Sequence, residues 1–145
     1  SIWVDGNCKV KTDGLPLIKE CLEGSSLQLF KHDVRNCIYE ESRECIRCNL
    51  DAPQIINDQI NRYKDNDYPA DNGLVLTGVQ VRNHHDPVVV KNMEEWYNEV
   101  ITGSCRDQLS FNYVMWKNGF NYNFIPGGLF RNNQYFQIHG RNHKK

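Results

Sequence analysis

The chain opens with the segment Ile2-Trp3-Val4-Asp5-Gly6-Asn7, in which an apolar run stops at a carboxylate followed by a glycine and an amide. A short apolar run that ends in turn residues is typical of a buried strand. In layered α/β folds, ligands bind at the exposed carboxyl ends of such strands. The segment therefore predicts an opening β-strand whose tip presents oxygen ligands.

Strand and helix patterns alternate through the rest of the chain. Strands are predicted at 27–31, 74–81 and 136–138, and helices with capping signals at 15–24, 36–49, 53–66, 87–103 and 104–119. Strands that alternate with capped helices, each strand ending in polar residues, predict an α/β layered fold. This pattern says where a site would lie but not what it does.

Length and composition indicate one globular domain. The chain has 145 residues, of which 39% are hydrophobic and 24% are charged, and its formal net charge of −1 argues against nucleic acid as a partner. Its apolar runs are far shorter than the roughly 20 residues of a membrane span. The six cysteines fall largely at helical apolar positions and no Asn-x-Ser/Thr sequon occurs, which favours reduced thiols and a cytoplasmic location.

Two interpretations of the first polar cluster remain open. Asp5-Gly6 can simply form a turn at the end of a strand. Alternatively, Asp5 and Asn7 hold a hard cation such as Mg²⁺ or Mn²⁺, which takes one or two carboxylates and leaves room for substrate phosphates. His139 near the other end of the chain is a candidate further ligand that would favour Mn²⁺, or else an isolated surface histidine.

The second polar cluster, Ser104 to Gln108, is equally ambiguous. Ser104 and Asp107 have the spacing of a capping box, so Asp107 can serve only to satisfy the backbone of a new helix. Alternatively, Asp107 or Gln108 faces a substrate as a general base or polar stabiliser. Arg106 could pair with phosphate or with a carboxylate such as Glu99.

Other polar residues follow the predicted strands, and we expect them to line one crevice. They are His32, Arg35, Arg82, His84 and His85. Arg35 and Arg82 suit phosphate or acceptor hydroxyls, although structural salt bridges are the usual role of arginine. On the helix at 87–103, a stripe of apolar residues predicts one packing face: Val90, Met93, Tyr97 and Val100.

Several of these motifs, taken in order over roughly residues 1–117, resemble one family. They are Ile2-Trp3-Val4-Asp5-Gly6-Asn7, His32-Asp33-Val34-Arg35, Cys37-Ile38-Tyr39-Glu40-Glu41, Gly73-Leu74, Arg82, Trp96-Tyr97-Asn98-Glu99-Val100 and Arg106-Asp107-Gln108-Leu109-Ser110-Phe111. The family is the glycosyltransferase-like domain found in plant Golgi mucilage-related proteins and in bacterial and viral polysaccharide genes. An ordered set of motifs is far more specific than any single one.

The resemblance implies a GT-A-like (Rossmann-like) mixed sheet flanked by helices. It also implies transfer of a hexose or deoxyhexose from a nucleotide-diphospho-sugar donor to a glycan or other hydroxyl acceptor. Asp5 is then a ligand of the divalent metal (Mn²⁺ or Mg²⁺), Asn7 its weaker partner, and His139 a C-terminal metal histidine. Asp107 and Gln108 match the position of a catalytic acid or amide, and exposed aromatic rings could stack on a sugar. The substrate-binding candidates are His32, Arg35, Arg82 and Arg106.

In GT-A folds the nucleotide-binding strands precede the metal strand, whereas this chain starts at that strand. We therefore expect residues 1–145 to be a single domain, the C-terminal metal and acceptor part of a GT-A-like domain, with the nucleotide base bound by a missing N-terminal segment. Two other functions stay open: a non-catalytic carbohydrate-binding or assembly module, and a metal-dependent phosphohydrolase. The phosphohydrolase needs a second carboxylate near Asp5, for which Asp33 is the candidate. The transferase hypothesis requires Asp5 and Asp107 to share a pocket.

Overall fold

A computed structural model of the chain describes residues 1–130 and 133–139. The strands of this part are β1 (Ile2–Val4), β2 (Cys8–Val10), β3 (Leu27–Lys31), β4 (Val75–Arg82), β5 (Asn123–Phe124) and β6 (Phe136–Ile138). The helices are α1 (Leu15–Gly24), α2 (Ile38–Arg47), α3 (Pro53–Asp65), α4 (Pro87–Thr102) and α5 (Gln108–Lys117). Each strand and helix predicted from the sequence is present, and the short strands β2 and β5 are additional.

The strands form a mixed sheet in the order β1-β4-β3-β5, which confirms the predicted α/β class. The central strand β4 runs antiparallel to both β1 and β3, while β3 and β5 are parallel. A separate antiparallel pair joins β2 to β6.

Each face of the sheet has its own hydrophobic core. On one face α2, α3 and α5 pack against the sheet through residues such as Ile38, Ile56 and Leu109. On the other face, α1 and the β2–β6 pair enclose a second cluster that includes Leu17 and Phe136. The predicted inward stripe of α3, formed by Ile56, Ile60 and Tyr63, is buried as expected.

The direction of β4 separates residues that we expected to meet. Because β4 runs antiparallel to β3, the carboxyl ends of these two strands lie at opposite ends of the strands in the sheet. His32 and Arg35 follow the carboxyl end of β3, whereas His84 and His85 follow the carboxyl end of β4. The prediction that all of these residues line a single crevice is wrong.

A bulge in β4 changes which side chains face α4 and α5. The pairing with β3 shifts from Leu29 opposite Gln80 to Phe30 opposite Leu76. Residues 77–79 of β4 therefore have no paired residue on β3. An irregularity of this kind resets the alternation of side chains along a strand. As a result Thr77 and Gln80, which are three positions apart, both lie on the side of the sheet that faces α4 and the start of α5.

The predicted helix caps are right for α4 and wrong for α5. Asp86 caps α4 by accepting a hydrogen bond from the Val88 N–H at 2.9 Å, and Gly103 is its C-cap. The Ser104–Asp107 capping box does not form, because the Ser104 hydroxyl accepts from the Arg106 N–H at 3.1 Å, in a turn before the helix, while it donates to the Asp51 carboxylate at 2.7 Å. Helix α5 consequently begins at Gln108 rather than at Ser104.

Asp51 precedes α3 but does not cap it. Its Oδ2 accepts hydrogen bonds from the Ser104 hydroxyl and from the Cys105 N–H at 2.9 Å, which ties the start of α3 to the segment before α5.

In the part of the chain that the structure describes, no helix combines the length and the apolar character that crossing a membrane requires.

Candidate active site

A cavity of about 290 Å³, here called the central cavity, lies between the sheet and α4. Its lining residues come from the β1 segment, from β4, from α4 and from the residue before α5: Trp3, Asp5, Gln80, Arg82, Met93, Trp96, Tyr97, Val100 and Asp107. The cavity thus contains the two carboxylates that the transferase hypothesis required to meet. The expectation that Asp5 and Asp107 share a pocket is confirmed.

Asp5 is placed by its contact with the bulge of β4. Its backbone N–H donates to the Gly78 carbonyl at 2.9 Å. A Cβ atom on Gly78 would lie 3.1 Å from Oδ2 of Asp5, closer than an ordinary van der Waals contact. Because Gly78 has no side chain, the Asp5 carboxylate can lie close to the backbone of β4.

Asp107 is held by three elements at once. Its Oδ1 accepts a hydrogen bond from the Thr77 hydroxyl of β4 at 3.1 Å. Its carbonyl oxygen accepts from the Trp96 indole of α4 at 2.9 Å and from the Ser110 hydroxyl of α5 at 3.0 Å. Both the backbone and the side chain of Asp107 are thereby fixed.

The surroundings of Asp107 raise the pKa of its carboxyl group above the ordinary value. Burial is the main cause, and the negative charge of Asp5 adds to it, while Thr77, the Gln108 N–H and Arg106 act in the opposite direction. A carboxylate with a raised pKa is a better proton acceptor than a solvated one. The site therefore has a residue whose chemistry suits a general base.

A second cavity of about 520 Å³, here called the outer cavity, continues from the central one along α4. The two share Arg82, Met93 and Tyr97. The other residues that line the outer cavity are His84, Val89, Val90, Glu94 and Asn98. Together the two cavities form one groove along α4.

The predicted packing stripe of α4 is only partly right, because Met93 and Val100 pack partly buried against the core whereas Val90 and Tyr97 are exposed. Every residue of that stripe lines the groove, and Tyr97 is 63% exposed. The buried face consists of Val89, Asn92 and Trp96. The polar Asn92 can be buried because its amide donates to the Val88 carbonyl at 2.8 Å.

The candidate metal residues Asn7 and His139 are joined through their backbones, and Asn7 is close in sequence to Asp5. The His139 N–H donates to the Asn7 carbonyl at 2.8 Å, at the end of the β2–β6 ladder, so His139 lies beside the segment that carries Asp5. Within residues 1–130 and 133–139, no three His, Cys, Asp or Glu side chains come together as a metal site. Of the three candidate ligands, only Asp5 lines the central cavity.

His32 and Arg35 form a separate polar cluster at the start of α2. The Nδ1 atom of His32 accepts from the Arg35 N–H at 2.9 Å, and the Arg35 Nε donates to Oε2 of the buried Glu41 at 2.5 Å. Burial lowers the pKa of His32, which agrees with an acceptor role for its ring nitrogen. Neither residue lines the groove.

Gln108 and Arg106 also lie outside the central cavity. The Gln108 side chain is buried and its amide donates to the Val75 carbonyl at 2.8 Å. The charge of Arg106 lowers the pKa of Asp107, against the effect of burial. Glu99, its suggested partner, pairs instead with Arg62 at 2.6 Å.

Asp33 is not the second carboxylate near Asp5. It is exposed after the end of β3 and does not line the groove, whereas Asp107 does.

Sequence reasoning also missed Thr77 and Gln80 as site residues. A signal for them exists, since two polar residues on either side of Gly78 interrupt an otherwise apolar strand.

The fold and its paired carboxylates define an α/β domain with a cleft suited to acid–base chemistry. The model of the TOD1/MUCI70 glycosyltransferase-like domain family matches residues 1–142, and the chain belongs to this family. The resemblance seen in the sequence is thereby confirmed, and with it a glycosyltransferase-related role. No curated protein and no solved structure matches the chain significantly.

Proposed function

We propose that this domain transfers a sugar from a nucleotide-diphospho-sugar donor to a hydroxyl group of a glycan or other acceptor, with the central cavity as the reaction centre. The observation that carries the proposal is the convergence of Asp5 and Asp107 in that cavity. Membership of a glycosyltransferase-like family supports it.

Asp107 acts as the general base in this proposal. It accepts the proton of the acceptor hydroxyl as that oxygen forms its bond to the anomeric carbon of the donor. The bond between the anomeric carbon and the diphosphate oxygen breaks, and its electron pair leaves with the diphosphate. Thr77 orients the carboxylate during this step through its hydrogen bond to Oδ1.

Asp5 serves the diphosphate end of the donor. Asp5 would hold Mn²⁺ or Mg²⁺, with Asn7 and His139 as its proposed further ligands, and the metal would neutralise charge on the departing diphosphate. Arg82 lines the same cavity and adds a positive charge. In this proposal Asp5 and Arg82 orient the leaving group and Asp107 accepts the proton, all within one cavity.

The direct test is donor turnover with Asp107→Asn. UDP- and GDP-sugars are incubated with Mn²⁺ and oligosaccharide acceptors, and release of the nucleoside diphosphate is measured. Loss of a general base should lower the rate by at least about 100-fold. The control is Asp65→Asn, which alters an exposed aspartate of α3 and should have no effect. Full activity of Asp107→Asn would refute the proposal.

The same variant should fold normally. Because the folded-state pKa of Asp107 is raised, its contribution to stability is present below the unfolded pKa and is lost as the pH rises through the folded pKa. At pH 7 the melting temperature of Asp107→Asn should therefore be no lower than that of the wild type. A loss of activity would then reflect chemistry.

Two carboxylates in one cavity also fit a metal-dependent phosphohydrolase. The same assay separates the two reactions when it is run without an acceptor. Donor consumption that requires the acceptor supports transfer, whereas an equal rate without it supports hydrolysis.

A further inference from the structure

We propose that the outer cavity binds the end of an uncharged glycan, with the ring of Tyr97 as its stacking surface. The inference deepens the proposed function, on which it rests for the role of this glycan as the acceptor. The binding itself can be tested without any turnover.

The position of the outer cavity is the first argument. It shares Arg82, Met93 and Tyr97 with the central cavity, so a ligand that occupies both would place one of its groups beside Asp107. Its volume of about 520 Å³ lies within the usual range for small-molecule sites, about 300–1,000 Å³. An extended substrate therefore has a continuous path to the general base.

The chemistry of the lining is the second argument. Tyr97 is 63% exposed, and its ring lies with Val90 and Met93 in an apolar wall that a sugar ring can cover with its C–H face. Around this wall, His84, Glu94 and Asn98 supply side chains that donate to or accept from hydroxyl groups. A sugar ring has an apolar C–H face and hydroxyl groups around its edge. The apolar wall matches the C–H face, and the polar side chains around the wall match the hydroxyl groups.

The charge of the lining is the third argument, and it favours an uncharged ligand. Arg82 is offset by the carboxylate of Glu94 in the same cavity. The neighbouring His85, the N-terminal ammonium and Arg82 lower the pKa of His84, which favours its neutral imidazole. A diphosphate or a polyanionic chain would gain little there, because no excess positive charge lines the cavity.

Arg82 links the two cavities. It lines both, and it forms no salt bridge with any residue in the described ranges. An arginine without a protein partner at such a junction can donate hydrogen bonds to a bound substrate. We assign Arg82 the role of donating hydrogen bonds to the substrate between the acceptor glycan and the leaving diphosphate.

The test is titration of the isotope-labelled 145-residue chain with short neutral oligosaccharides, namely cello-, xylo-, manno- and galacto-oligosaccharides, followed by NMR. At least one of these should shift the resonances of His84, Tyr97 and Asn98. Tyr97→Ala should weaken this binding by about tenfold, through loss of one aromatic contact. Tyr97→Phe should retain it, and Ile101→Ala, an exposed position of α4 outside the groove, should have no effect.

Three results would overturn the inference. They are no shift at these residues with any oligosaccharide of the set, undiminished binding by Tyr97→Ala, and tighter binding of an acidic oligogalacturonide or of UDP at the same residues. If the chain proves inactive as a transferase, neutral-glycan binding at Tyr97 would still stand, so that the two failures can be told apart.

Discussion

The hydroxyl of Thr77 donates a hydrogen bond of 3.1 Å to the carboxylate of Asp107 and joins the bulge of β4 to the start of α5. This bond lowers the pKa of Asp107, in opposition to the effect of burial. Two segments far apart in the sequence thereby set the basicity of one carboxyl group. The bond gives the first of four predictions.

Thr77→Val should move the acidic limb of the pH–rate profile to higher pH. Without the hydroxyl, the pKa of Asp107 rises further, and a general base works only when deprotonated. Stability should fall by about 1 kcal/mol from the lost hydrogen bond. The measurement is kcat/KM against pH, with Thr102→Val on exposed α4 surface as the control. An unshifted limb would argue against Asp107 as the titrating base.

Gly78→Ala should impair activity through Asp5. The added Cβ would lie 3.1 Å from Oδ2 of Asp5 and would displace the carboxylate. Since a misplacement of about 1 Å in a reaction centre can cost about 100-fold in rate, a shift of a few tenths of an ångström should lower the rate by a smaller, severalfold factor. The matched control is Gly6→Ala, where a Cβ meets no atom within 4 Å. Equal activities of the two variants would show that the position of Asp5 does not matter.

Arg35→Ala should lower stability and leave the chemistry unchanged. Arg35 is the partner of the buried Glu41, and a buried carboxylate left without its partner costs about 1–3 kcal/mol. Urea unfolding should detect this loss, while the KM for the donor stays the same. Arg43→Ala, at an exposed position of the same region, serves as the control. A raised KM for the donor without loss of stability would instead indicate that Arg35 binds the substrate.

Asp51→Asn should destabilise the chain at neutral pH and have less effect in acid. Hydrogen bonds from Ser104, Ala52 and Cys105 lower the pKa of Asp51 from 3.8 to about 2. A lowered folded-state pKa means that the stabilisation is present above the unfolded pKa and is lost as the pH falls through the folded pKa. The difference in free energy of unfolding between variant and wild type should thus shrink between about pH 4 and pH 2. A difference independent of pH would contradict the assignment.

Part of the candidate site could be predicted from the sequence. Asp5 and Asp107 stand out because each is a carboxylate at the boundary of a strand or helix, and the structure brings them into one cavity. Thr77 and Gln80 could not be assigned in the same way. Their common orientation depends on a bulge that forms only when β4 pairs with β3.

Two of the wrong predictions arise because the side chain has another partner. Ser104 has the local sequence of a helix cap, but its hydroxyl accepts from the Arg106 N–H and donates to Asp51. Arg35 has the chemistry of a phosphate ligand, but it pairs with the buried Glu41. The single-crevice prediction failed for a different reason, the antiparallel direction of β4.

The sequence by itself determined the elements and the family of this protein, since strand and helix patterns, the Asp86 cap and the Gly103 stop depend on residues within a few positions of one another. Only the tertiary structure decided the direction of β4, the open groove along α4 and the environment of Asp107. These features arise from pairing and burial between distant segments, whose free energies no local window of sequence contains.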